Sequence, residues 1–170
     1  MGYNYTLRSF ERADLPMIAE WLSTPHSQAW WGDRDEQLAL ITEDLDQPLM
    51  DQQLALLAVR PFGYLQSYPV HAWPDGAPHL TEFPLGTVAV DCFIGPVDLL
   101  GQGHGAAMLR LYATQLLANG APDVVIDPDP DNERAVRAYR RAGFRDVAHR
   151  PDADGDMTLV MRFEPPALSA

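Results

Sequence analysis

Leu100-Gly101-Gln102-Gly103-His104-Gly105-Ala106 is the stretch on which the fold turns. It follows Gly86 to Ile94, which reads as a buried strand, and precedes Ala106 to about Ala118, which reads as an apolar helix closed by Asn119-Gly120. The amides of Gly103, His104 and Gly105 therefore fall at a helix start, where no intrahelical carbonyl accepts from them. Glycine there lets a ligand approach the backbone without a Cβ in the way, so the stretch predicts an anion site. Several pyrophosphate binders compete for it. The phosphate loop of NTPases needs a lysine, and all 12 basic residues here are Arg. Gly101, Gly103 and Ala106 meet the dinucleotide pattern G-x-G-x-x-G/A, but that fold runs its strand straight into the first glycine. Here Gly95 to Leu100 intervenes, and about 65 residues remain for a second half. Coenzyme A is the third candidate.

Working outward, Tyr3 to Arg8 alternates and reads as a first strand. Asp14 can cap a helix with Pro16 in its first turn and an apolar stripe of Ile18, Trp21 and Leu22. A second helix is predicted from Asp35 to about Leu45, with Pro25 to Gly32 as the loop between, carrying Trp30-Trp31. Gln53 to Arg60 and Gly63 to Val70 read as two strands joined by a tight hairpin at Pro61-Phe62. His71 to Pro84 is a long irregular loop, a length that points to function or disorder. Val124 to Asp127 is a short strand, and Asn132 caps a helix that stops at Gly143. Phe144 to Ala148 and Met157 to Phe163 close the chain as strands joined around Asp154-Gly155. The order β-α-α-β-β-β-α-β-α-β-β predicts a mixed α/β (α+β) domain over residues 1–164, with 165–170 a short tail.

At 46% hydrophobic and 21% charged residues, the composition is that of a globular chain. No apolar run approaches the roughly 18 residues of a membrane span, and the first ten residues lack the charged start and apolar block of a leader. The cytoplasm is the expected location. Twelve basic against 24 acidic residues give −12, which argues against nucleic acid and favours polycationic partners. Absence of Lys beside abundant Ala, Arg, Pro and Gly also fits GC-rich codon usage, so charge alone names no partner. Cys92 is the single cysteine, and the five histidines never fall at i, i+4, so no metal site is expected.

With these motifs in place, the sequence resembles the GNAT acetyltransferases over nearly its whole length. Residues 100–105 are similar to the family's pyrophosphate loop (Q/R)-x-x-G-x-(G/A), with Leu100 standing where Gln or Arg is usual. Asn132 to Phe144 matches N-x-x-A-x-x-x-Y-x-x-x-G-F. Within the family the chain looks like the aminoglycoside 6′-N-acetyltransferases, through Glu20-Trp21-Leu22, Trp30-Trp31-Gly32, Phe62 to Tyr68, Asp91 and Asp127 to Asn132. The siderophore-pathway lysine and hydroxylysine N-acyltransferases share the F-G-Y block and a D-P-x-x-N turn and form the alternative. A coenzyme-A-binding regulatory domain without turnover is a third reading.

The resemblance implies a mostly antiparallel sheet of about seven strands with about four helices, acetyl-CoA as cofactor, and a monomer or homodimer. It places Asp91 beside the thioester as the group that takes the acceptor amine's proton, and Tyr139 where a hydroxyl can protonate the departing sulfur. Strand alternation sets Ala89, Asp91 and Phe93 on one face and Val90 and Cys92 on the other, which makes Cys92 a core residue. The backbone at Cys92 and Phe93, the loop Gln102, Gly103, His104, Gly105 and Ala106, and Asn132 are the implied cofactor contacts. For the acceptor the candidates are Trp30, Trp31, Tyr64, Gln66, Asp75, Glu82, Asp91 and Asp127. Of the tryptophans, at least one is expected to anchor its loop in the core. Tyr64, Gln66 and Tyr68 are expected to share a polar strand face, and Asp127 to face a cleft with its carboxylate unpaired at a C-terminal strand edge.

Overall fold

The computed structural model describes residues 2–167, in the order β1 (Tyr5–Ser9), α1 (Leu15–Leu22), α2 (Pro25–Trp31), α3 (Arg34–Asp44), β2 (Asp51–Leu57), β3 (Arg60–Pro69), β4 (Val88–Ile94), α4 (His104–Ala118), β5 (Val124–Ile126), α5 (Glu133–Ala142), β6 (Phe144–Pro151) and β7 (Met157–Phe163). The strands form one seven-stranded sheet, β1-β2-β3-β4-β5-β7-β6. β4 and β5 run parallel, while β1 with β2, β2 with β3, β5 with β7 and β6 with β7 are antiparallel. The α/β class and the strand number are those expected. The described residues hold five α-helices, against about four expected. They fall into two compact units, one holding the chain up to Ser67 with Asp91–Met108, the other Tyr68–Val90 with the chain from Leu109 on.

In the first unit, β1 to β3 and α1 to α3 close over Phe10, Ile18, Trp21, Leu22, Ile41, Leu54, Tyr64 and Phe93. The fifth helix is α2, in the segment expected as a loop. Thr24 is extended, Pro25 occupies the first turn and Gly32 ends the helix at φ +92°, so residues that read as loop punctuation act as start and stop signals. The β2–β3 turn is also displaced. It lies at Ala58-Val59, with Ala58 at φ +54° and Leu57 opposite Arg60, while Pro61 and Phe62 belong to β3. A bulge between Ala55 and Leu56 resets the register there, so Pro61 falls opposite Leu56 within the ladder.

Asp14 does not cap α1 with its side chain. Its carboxylate accepts from both terminal nitrogens of Arg8 at 2.8 and 2.7 Å and from the Glu11 amide at 2.9 Å. The Arg8 hydrogen bonds hold the Asp14 carboxyl below the usual carboxylate range. A depressed acid pKa stabilises the fold above the unfolded value and loses that contribution as pH falls through the folded value. Asp14→Asn is therefore expected to cost about 0.5–1 kcal/mol near neutrality, discounted because Arg8 is half in water. The difference from wild type should shrink as denaturation is repeated at falling pH, below about 4. A gap that stays constant with pH would refute this assignment.

In the second unit Val70, Ala77, Leu80, Ala89, Val125 and Val160 form one core cluster. The 71–84 loop is irregular except for a 3-10 turn at Pro78–Leu80, yet it buries Ala77, His79 and Leu80. Asn132 caps α5 by accepting from the Ala135 amide at 3.2 Å, and Gly143 ends it in the left-handed region at φ +117°. A Cβ on Gly143 would lie 3.0 Å from the Phe163 ring and 3.1 Å from the Glu164 carbonyl, so glycine is required on two counts. β6 extends to Pro151, beyond the expected end at Ala148. The link to β7 is the loop 152–156, drawn in by the Asp152 carboxylate accepting from the Asp154 and Asp156 amides at 2.9 Å. Of the expected tail, 165–167 have no regular structure and 168–170 lie outside the described residues.

Candidate active site

In the first unit, a 3-10 turn at Val97–Leu99 leads into the glycine loop, with Gly101 at φ +73° and Gly103 at φ +88°. A Cβ at either would meet nothing within 4 Å, so the loop faces open space, whereas one at Gly105 would lie 3.2 Å from Ile94. α4 begins at His104, earlier than the expected Ala106, which puts the His104, Gly105 and Ala106 amides in its first turn, free of intrahelical acceptors. The His104 side chain turns inward: it is buried, with Nδ1 2.8 Å from the Tyr5 hydroxyl and the ring packed against Tyr3, Tyr5 and Phe62. Burial, followed by the neighbouring Tyr3, pushes the Tyr5 hydroxyl above its ordinary pKa. His104 thus ties the loop to β1 through its side chain. Gln102 likewise spends its amide on the Asp98 carbonyl, and Ala106 is buried.

A chain of hydrogen bonds reaches Asp91 on β4 from the core. Gln66 Nε2 donates to Asp91 Oδ2 at 3.1 Å, and the Tyr64 hydroxyl donates to Gln66 Oε1 at 2.9 Å. Gln52 Nε2 in turn donates to the Tyr64 oxygen at 2.8 Å and to the Ile41 carbonyl at 3.0 Å. Tyr64 is fully buried, and burial raises its hydroxyl pKa well above the ordinary value, so it remains a donor. This corrects the expected polar strip: Tyr64 stands behind Gln66 in the core and offers no surface of its own. Gln52, unremarked in the sequence, is the inner anchor. Cys92 is buried as expected, and the Phe93 ring packs in the core 4.7 Å from Trp31, so both have only backbone to offer a ligand. Trp31 is the tryptophan that anchors α2, while Trp30 is exposed.

In the second unit Asp127 follows β5 directly, but its carboxylate is paired, contrary to expectation: Oδ2 lies 2.6 Å from His79 Nε2. Glu82 is exposed and paired with Arg150 at 3.0 Å, and Asp75 is exposed. Asn132 spends its side-chain oxygen on the α5 cap, and Tyr139 is half-buried on the same helix, one turn beyond buried Val136. Arg137 and Arg140 pair with Glu133 and Asp146 at the surface. Among the described residues there is no cluster of three or more His, Cys, Asp or Glu able to hold a metal, and no helix long and apolar enough to cross a membrane.

The family model for an acetyltransferase (GNAT) domain matches residues 11–150. Aminoglycoside N(6′)-acetyltransferases type 1 of Klebsiella pneumoniae and Serratia marcescens are each 35% identical over 167 residues, covering 92% of this chain and 82% of theirs. The structure of AAC(6′)-Ib with paromomycin and acetyl-CoA is similar at a TM-score of 0.87 and 28% identity over 98% of both chains. That of the same enzyme with coenzyme A and kanamycin gives 0.84 and 29% over 94% of both.

Proposed function

This chain belongs to the GNAT acetyltransferase family, and on that premise we propose that it transfers acetyl from acetyl-CoA to the 6′-amine of an aminoglycoside. The observation that carries the reading is the 35% identity to aminoglycoside N(6′)-acetyltransferases across 92% of the chain. The loop fits the cofactor: Gly101 and Gly103 leave open the space a pyrophosphate would fill, at the head of a 15-residue helix whose first amides have no intrahelical acceptor. When bound, acetyl-CoA supplies an activated acyl thioester. The amides from Gln102 to Ala106 are the proposed pyrophosphate donors, and Asn132 contributes by ordering the start of α5.

A protonated amine has no lone pair to attack with, so Asp91 accepts its proton, directly or through one water, while Gln66 fixes the carboxylate. A backbone N–H at Cys92 or Phe93 is the proposed donor to the acyl oxygen, and Tyr139 the proposed source of the proton that the sulfur takes up. Burial of Cys92 speaks for direct transfer without an acyl-cysteine. Asp127, Asp75, Glu82 and Trp30 are proposed for the acceptor, a polycation matched to a chain of net charge −12. The cytoplasm, where acetyl-CoA is available, is the proposed place of action.

The test is thiol release from acetyl-CoA with kanamycin, tobramycin and a 6′-hydroxyl analogue. Turnover with the amines alone is expected, and turnover with none would overturn the reading. A chain-length series of acyl donors, with acetyl preferred, separates it from the siderophore acyltransferases. Gly103→Ala places a Cβ at φ +88° in the mouth of the loop. It is expected to raise the KM for acetyl-CoA about tenfold, through roughly 1–2 kcal/mol of backbone strain, and to leave the KM for kanamycin within about twofold.

A further inference from the structure

We propose that His79 is a positioning residue for Asp127, fixing the direction in which that carboxylate meets an ammonium group of the acceptor. The inference rests on the aminoglycoside reading above. It starts from one contact: His79 Nε2 lies 2.6 Å from Asp127 Oδ2, with side chains 4% and 17% exposed. An ionised carboxylate only accepts hydrogen bonds, so the hydrogen sits on Nε2, and the bond is short and charge-assisted. The other ring nitrogen, Nδ1, is buried with no hydrogen-bond partner. Burying a polar atom in that way costs free energy, and an aliphatic side chain would fill the space without that cost. Holding Asp127 is the one hydrogen bond seen from this ring.

His79 is itself held rigidly. Its carbonyl accepts from Arg150 at 2.9 Å, Arg150 is paired with Glu82 at 3.0 Å, and Leu80, the next residue in the 3-10 turn, sits in the core beside Val125 and Val160. Asp127 Oδ2 is thereby assigned to His79, and Oδ1 is the oxygen left for a cation. A carboxylate fixed before binding loses no rotational freedom when the acceptor arrives, so the pairing acts on acceptor affinity.

The test is steady-state kinetics with kanamycin and acetyl-CoA for wild type, His79→Leu, His79→Gln, Asp127→Asn and the His79→Leu/Asp127→Asn pair. His79→Leu is expected to raise the kanamycin KM about tenfold, with kcat within about threefold and the acetyl-CoA KM within about twofold. His79→Gln, whose amide can donate to the same oxygen, recovers most of the loss. In the Asp127→Asn background His79→Leu adds less than about twofold. A kanamycin KM unchanged in His79→Leu, a parallel rise in both KM values, or an undiminished effect in the Asp127→Asn background would each overturn the proposal. Should His79→Leu fail to fold, His79→Met removes the donor at similar volume and is judged by the same criteria. A wild type inactive on every aminoglycoside overturns the functional reading and this inference with it, whereas an active wild type with an indifferent His79→Leu overturns this inference alone.

Discussion

Asp91→Asn is expected to lower kcat/KM for kanamycin by roughly a thousandfold while the acetyl-CoA KM stays within about twofold. The substitution is close to isosteric. Gln66 Nε2, 3.1 Å from Asp91 Oδ2, can still donate to the Asn carbonyl oxygen, so the Gln52-Tyr64-Gln66 chain behind it is preserved. What is lost is a group able to take a proton, and an ammonium acceptor then enters the reaction without its lone pair. General-base catalysis is worth about 10²- to 10⁴-fold, and the negative charge that draws the amine is lost as well. Gln66→Leu should cost less, about tenfold, because it removes the support and leaves the proposed base. The check is thiol release under saturating acetyl-CoA, with a thermal melt to show that Asp91→Asn remains folded. A folded Asp91→Asn within tenfold of wild type would remove Asp91 from the mechanism.

What the sequence made legible follows the range of the interactions. Asn132, Gly143 and the 101–105 glycines were readable because each acts within a few residues of itself, through a cap, a left-handed C-terminus or a helix head. Pro25 and Gly32 are equally local, but the same residues open and close both loops and short helices, and packing of Trp31 against Phe93 is what favours the helix. The hairpin turn is not legible locally because Ala58 adopts a positive φ with no glycine to announce it, while Pro61 reads as a breaker yet lies within the ladder. Asp14 has the chemistry of a cap, but Arg8 on β1 competes for its carboxylate and wins with two charge-assisted bonds. The supports of the candidate site are longer in range still. Gln52 reaches Tyr64 only through the β2–β3 register, and His79 and Asp127 are 48 residues apart with no motif joining them. Roles carried by such pairs become visible only once the chain is folded.

Gly95, just past β4, carries the largest expected stability effect. A Cβ there would stand 1.8 Å from Trp21 Cδ2 and 2.2 Å from Cγ, inside the indole ring. Trp21 has little freedom to withdraw: it is buried, its ring packs edge-on to Phe93 at 6.3 Å, and it belongs to the cluster that closes the first unit. The backbone cannot retreat cheaply either, because the Gly95 amide donates to the Phe62 carbonyl at 3.0 Å. Gly95→Ala is therefore expected to cost about 3 kcal/mol or more, at the upper end of overpacking penalties, read as a fall in the urea midpoint with the slope unchanged. Gly63 makes the contrast. A Cβ there would lie 2.2 Å from Met108 Sδ, a flexible side chain that can swing aside, so Gly63→Ala should cost about 1 kcal/mol. The steric account of Gly95 makes a sharper demand. In a Trp21→Leu background the clashing ring is gone, so Gly95→Ala should add less than about 1 kcal/mol there, a coupling between neighbours that a purely conformational effect of replacing glycine would not produce.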